Sequence, residues 1–154
     1  MEMLAAVPVD NLDAVRARRA ELHESMAALE QALAGAGPGR AEPWSQRVHV
    51  ALVELSADLR AHVHLTEAPG GLYEDVVSAA PRLAGRVERL VREHADVSRL
   101  VEDLIARAGE PLDEDGVASV RQRGMTLLGR LVRHRQASAD LLYEAYETDV
   151  GGET

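Results

Sequence analysis

The sequence predicts an all-α protein, an up-down-up-down four-helix bundle in a single domain. Apolar residues recur at alternating spacings of three and four in four long stretches, the period of one buried helix face. No stretch alternates with period two, so no sheet is expected. Glycine and proline clusters divide the stretches, and the loops between them are modest, which sets consecutive helices antiparallel. With 154 residues, 46% hydrophobic and 28% charged, the chain suits one soluble domain. Residues 1–154 are read as that domain, with a helical core from about 10 to 147.

The first helix is expected from Asp10 to Leu33, with Asp10 or Asn11 at the capping position. Its stripe is Leu12, Val15, Leu22, Met26, Leu29 and Leu33, interrupted only by Arg19, and Gly35-Ala36-Gly37-Pro38-Gly39 ends it. The second is expected from Pro43 or Trp44 to Glu67, with Pro43 in the first turn, where its missing N–H costs least. Its stripe is Val48, Leu52, Leu55, Leu59 and His62. Pro69-Gly70-Gly71 breaks the chain, and Leu72 to Ala80 forms a short helical piece. The third long helix is expected from Pro81 to Arg107, with Leu83, Val87, Leu90, His94, Val97, Val101 and Leu104 on one face, ending near Gly109-Glu110-Pro111. The fourth follows the acidic turn Asp113-Glu114-Asp115 and runs to about Tyr146. Its face carries Leu127, Leu131, His134, Ser138, Leu141 and Ala145, with Tyr143 and Tyr146 packing the bundle end and Gly151-Gly152 closing the chain.

Composition excludes several classes of function. Cysteine is absent, which removes disulfides, iron–sulfur clusters, thiolate zinc sites and cysteine nucleophiles. A formal net charge of −9 opposes a nucleic-acid partner. No apolar run approaches the roughly 20 residues that span a bilayer, so no membrane partner is expected. The N-terminal stretch lacks a cationic start, and a cytoplasmic location is the expectation. Nucleophile–base triads, dinucleotide fingerprints, phosphate loops and the His-Glu-x-x-His zinc motif are all missing. The sequence therefore offers no catalytic residue and reads more readily as a binding protein than as an enzyme.

Three histidines share one property. His62, His94 and His134 each continue the apolar stripe of a different helix. A residue on that stripe is buried, so three imidazoles point into one interior. Converging histidines on facing helices are how helical bundles hold metal ions. His23 stands beside the stripe of the first helix as a fourth candidate. His49 and His64 fall off the stripes and are assigned to the rim. Without thiolates, a metal must take imidazole nitrogen and carboxylate oxygen, a ligand set that suits iron, manganese or zinc.

These histidines and their neighbours resemble the hemerythrin-like, or HHE cation-binding, family over roughly residues 12 to 146. The segments that carry the resemblance are Glu21-Leu22-His23-Glu24, Leu59-Arg60-Ala61-His62, Val91-Arg92-Glu93-His94 and Arg133-His134-Arg135-Gln136. The resemblance implies a four-helix bundle with non-haem iron that handles or senses oxygen, nitric oxide or peroxide. It implies metal ligation by His23, His62, His94 and His134, with Glu67 near enough at the end of its helix to join them, and a small diatomic molecule as a further ligand.

The departures from the family pattern narrow this. Thr66 and Ser138 stand four residues after His62 and His134, where the family has carboxylates, and Ser98 stands where the third helix often has a second histidine. Glu67 lies one position later, about 140° around the helix from His62. Bridging carboxylates hold two cations together, so their loss favours a mononuclear site over a di-iron centre. Glu93 is read as an arginine partner, with orientation of an imidazole as its other role. Arg133 and Arg135 flank His134 and disfavour a divalent cation unless both turn outward; their alternative role is to draw an anion towards the site. Two other functions fit the same features. One is a metal-free helical interaction protein derived from the fold. The other is a DinB-like metal-dependent thiol transferase, whose His-x-x-x-His pair would here end on Ser138.

Overall fold

The computed structural model describes residues 9–35 and 41–148, and among them the chain is all-helical, with no strand. Four long helices dominate: α1 (Val9–Ala34), α2 (Ala41–Glu67), α4 (Ala84–Ala108) and α5 (Glu114–Tyr143), with a short α3 (Leu72–Ala79) between α2 and α4. The N-terminal residues, the glycine-proline stop over 36–39 and the closing Gly151-Gly152 lie outside the described residues. No described helix is long and apolar enough to cross a membrane.

The long helices pack in a ring, α1 on α2, α2 on α4, α4 on α5, and α5 back on α1. Each buries the stripe that its sequence defines: Leu22, Met26, Leu29 and Leu33 of α1 meet Val48, Leu52, Leu55 and Leu59 of α2, Val97, Val101 and Leu104 of α4, and Val120, Leu127 and Leu131 of α5. A second apolar cluster gathers Val15, Leu72, Tyr73, Val76, Leu83, Val87, Leu90 and Leu141. The core therefore has two parts, and α3 belongs to the second.

Helix ends follow local chemistry. Asp113 caps α5, its side chain accepting from the Gly116 N–H at 2.7 Å, which satisfies one of the free donors of the first turn. At the end of α1 the Leu33 carbonyl accepts from Trp44 Nε1 at 3.3 Å and Arg121 Nε at 3.0 Å. Two neighbouring helices thus satisfy one carbonyl that α1 cannot. Arg121 also lies over the buried Trp44 ring, 5.2 Å from its centroid, within cation–π range.

Two boundaries differ from the sequence expectation. Pro81 opens a 3₁₀ turn, Pro81–Leu83, and α4 starts at Ala84. The cause is the residue before the proline: Ala80 sits at φ −142° and ψ 79°, because the proline ring disfavours helical backbone there. At the other end, α5 loosens into a π turn over Glu144–Thr148. Tyr143 does not close the bundle end, since it is 63% exposed, whereas the Tyr146 hydroxyl is buried.

The turn between α2 and α3 is tight. Gly70 has φ 78°, the left-handed region that glycine enters freely. A Cβ on Gly71 would meet two backbone oxygens, Leu65 O at 2.6 Å and Ala68 O at 2.7 Å. Asn11 ties α1 to this turn, donating through Nδ2 to Gly70 O at 3.1 Å and Asp75 Oδ2 at 2.5 Å. Gly71→Ala should lower the unfolding free energy by about 1–3 kcal/mol through overpacking. Gly85→Ala, on α4 with nothing within 4 Å of the new methyl, should raise it by roughly 0.5–1 kcal/mol. Urea unfolding of both variants checks this; equal effects would show that the turn yields.

Candidate metal centre

The two apolar clusters are separated by polar residues, one from each long helix. On α4, His94 lies between Leu90 of the second cluster and Val97 of the first; on α5, His134 lies between Leu131 and Leu141. On α2, His62 follows Leu59 and is followed by Leu65, and on α1 Arg19 lies between Val15 and Leu22. The three histidines are 4%, 1% and 3% exposed in chain order, as their places on the stripes predict.

They also converge. One ring nitrogen from each of His62, His94 and His134 lies within 4.8 Å of the other two. His94 Nε2 and His134 Nε2 are 2.9 Å apart. The His62 ring stands edge-on to both, with centroids 5.2 Å and 5.9 Å away.

The opposite edges of two rings are anchored across helices. His94 Nδ1 is 2.5 Å from Glu67 Oε2 of α2, and His134 Nδ1 is 2.5 Å from Glu93 Oε1 of α4. An ionised carboxylate only accepts, so each Nδ1 carries the hydrogen. With neutral rings that assigns the tautomer and leaves each Nε2 as a lone-pair acceptor. Two lone pairs at 2.9 Å do not bond; they demand a cation between them. His62 makes the same demand, because both its ring nitrogens are buried without a hydrogen-bond partner, a costly state in a core.

On His62 or His94 a proton is a poor answer to that demand. Burial above all, with His134 and Arg19 beside it, holds His62 down at about 4. Burial and the two neighbouring imidazoles hold His94 far below its ordinary value. A metal ion compensates the same burial with three coordinate bonds. Imidazole nitrogens bound at about 2.0–2.1 Å to one tetrahedral ion lie roughly 3.3 Å apart, within the range these three rings span. The donor set therefore fits a metal, and the three buried histidines can hold one.

Tyr73 of α3 closes one side of the centre. Its ring stacks on His94 at 14° and 5.8 Å, and its hydroxyl lies 3.4 Å from His94 Nε2. Burial pushes the Tyr73 hydroxyl well above the ordinary phenol range, so it stays protonated, close to the hydroxyls of Thr66 and Ser138. Thr66 Oγ1 donates back to the His62 carbonyl at 2.9 Å, and Ser138 is buried.

The other expected ligands are placed differently. Glu67 meets the outer edge of His94 rather than the ring interior that His62 faces. His23 is exposed, accepting at Nδ1 from Arg135 Nη1 at 2.8 Å, and stands apart from the triad; α1 sends Arg19 to this level instead. Glu93 serves an imidazole and not an arginine, and the imidazole is His134 of the next helix rather than the adjacent His94. Arg133 and Arg135 are both exposed, and His64 is exposed at the rim. Sequence reasoning missed Tyr73, whose signal was an aromatic residue beside Leu72 and one turn before Val76, in a chain with few aromatics.

No family model, curated protein or solved structure matches this chain. The geometry of the centre stands on its own residues.

The depressed histidines make the metal-free protein acid-sensitive. Between about pH 6.5, where unfolded histidine titrates, and about 4, where folded His62 does, the unfolded chain binds protons that the folded chain refuses. Stability is therefore complete above this window and falls as the pH drops through it. The slope is about 1.4 kcal/mol per pH unit for each such histidine. Urea unfolding of metal-free protein from about pH 7 to 5 should show the decline, and His62→Leu should flatten it by one histidine's share. A wild-type slope no steeper than that of the variant would contradict the assignment.

Proposed function

We propose that the protein is a divergent hemerythrin-like bundle of up-down-up-down topology that holds one non-haem metal ion on His62, His94 and His134. The observation that carries this reading is the meeting of the two Nε2 lone pairs at 2.9 Å while both Nδ1 edges are held by carboxylates. Carboxylate–histidine pairs of this kind orient imidazoles and raise their basicity toward a metal.

The carboxylates also argue for one metal rather than two. Glu67 and Glu93 are engaged at the outer edges of the rings, and the positions that would supply bridging oxygens carry Thr66 and Ser138. The described residues contain no second cluster of candidate ligands. Iron remains the proposed metal on the strength of the family resemblance, and oxygen, nitric oxide or peroxide the proposed ligands. A bound iron would supply the redox chemistry for such a ligand, held by His62, His94 and His134. Tyr73 then offers it a protonated hydroxyl, and Thr66 and Ser138 hold that face polar.

A second reading is favoured by the triad itself. A single three-histidine site in a helical bundle also suits a DinB-like metal-dependent thiol transferase. Consumption of a low-molecular-weight thiol by metal-loaded protein would favour that reading over the first.

The deciding measurement is metal stoichiometry after loading with iron(II) and desalting. About one ion per chain is expected, with His94→Leu and His134→Leu each reducing occupancy at least tenfold. At a free metal concentration a thousandfold above Kd, metal should stabilise the fold by about 4 kcal/mol, and chelator should remove that gain. Occupancy far below one, unaltered by either substitution, would leave the metal-free interaction protein as the better account.

A further inference from the structure

Arg19 is the one residue that breaks the apolar stripe of α1, and the metal reading gives it no role. Its guanidinium is half-buried, and Nη2 is fully enclosed without a hydrogen-bond partner. It faces a groove of about 510 Å³ between α1 and α5, which Arg135 and His23 also line. None of the lining residues is acidic; the rest of the wall is Ala20, Val132, Gln136 and Ala139. In a chain of net charge −9, a groove with two guanidiniums and no carboxylate is a local inversion of the field.

We propose that this groove binds a small organic anion, its carboxylate held by Arg19 and Arg135 and its carbon skeleton laid against Val132 and the alanines. Guanidinium forks match carboxylate oxygens in pairs, and the exposed Arg135 and half-buried Arg19 line the same groove. The two cations are held in each other's field: burial and the neighbouring Arg135 lower the Arg19 value, and Arg16 adds to it. A carboxylate removes that repulsion. Val132, 54% exposed on this wall, gives an apolar surface that a bare inorganic ion does not use. His23 supplies the outer edge, bridged to Arg135. The groove also adjoins the buried layer, since Arg19 acts electrostatically on both His62 and Tyr73. An anion seated here neutralises Arg19 next to the histidines. The proposal does not rest on metal binding, because none of its residues belongs to the triad.

Titration of chelator-treated, isotope-labelled protein with benzoate, followed by amide and guanidinium NMR signals, tests it. Saturable shifts centred on residues 19–23 and 132–139 are expected, with a Kd near the millimolar range. Arg135→Gln, at an exposed position, should weaken binding at least tenfold; Arg19→Met should do the same. Arg133→Gln removes the same charge from the exposed neighbour and should change affinity less than twofold. Inorganic phosphate should bind at least fivefold more weakly than benzoate. Equal weakening by Arg133→Gln would reduce the effect to the general field and overturn the site. Phosphate binding as tightly as benzoate would overturn the organic class. Repeating the titration with metal-loaded protein separates the two readings: benzoate binding only in the loaded form, with shifts at the histidines and not the groove, would refute this proposal while leaving the metal site intact.

Discussion

The structure depends on a polar layer set across an apolar core. Each of the four long helices interrupts its stripe at the same level, with Arg19, His62, His94 and His134. A buried polar group without a partner is destabilising, so the layer persists only if its nitrogens are satisfied. Glu67 and Glu93 satisfy the outer edges of two rings, reaching across from neighbouring helices. Those two contacts fix tautomer, ring orientation and helix pairing together. What they leave inside is an electron-rich point bounded by three imidazoles and a tyrosine hydroxyl.

The fourth corner gives the layer its asymmetry. Three helices contribute imidazoles and α1 contributes a permanent cation. A cation at the fourth corner repels a metal ion but attracts an anion. The layer is thus electron-rich on the α2, α4 and α5 sides and electron-poor on the α1 side. The enclosed Nη2 of Arg19 and the unpartnered nitrogens of His62 express the two halves of that polarity.

Much of this was legible in the sequence because burial on a helix is periodic. Stripe position alone separated His62, His94 and His134 from His49 and His64, and it placed each of the three in the interior. The same periodicity pointed to Arg19, since no other residue interrupts the first stripe; the family pattern drew attention to His23 instead, a residue off the stripe and exposed. Contacts between helices were not legible. Glu67 was placed by its angle to His62 on its own helix and read as a metal ligand, whereas its partner is the Nδ1 edge of His94 on the next. Glu93 stands beside His94 in the chain but serves His134. Spacing rules describe one helix, and these pairings are set by the crossing of two. Tyr73 arrived by a further route, on a short helix that the Gly70-Gly71 turn folds back over the centre.

The two-part core also bears on how the helices find their alignment. An unbroken leucine stripe tolerates slippage, because a shift of one turn, about 5.4 Å, exchanges one leucine for another. Here the same shift sets an imidazole against Leu or Val and withdraws each carboxylate from its ring. Buried polar residues in coiled coils specify register in this way, at some cost in stability. The layer therefore works as an index mark: of the many ways to stack four leucine-rich rods, it singles out the one in which three histidines meet.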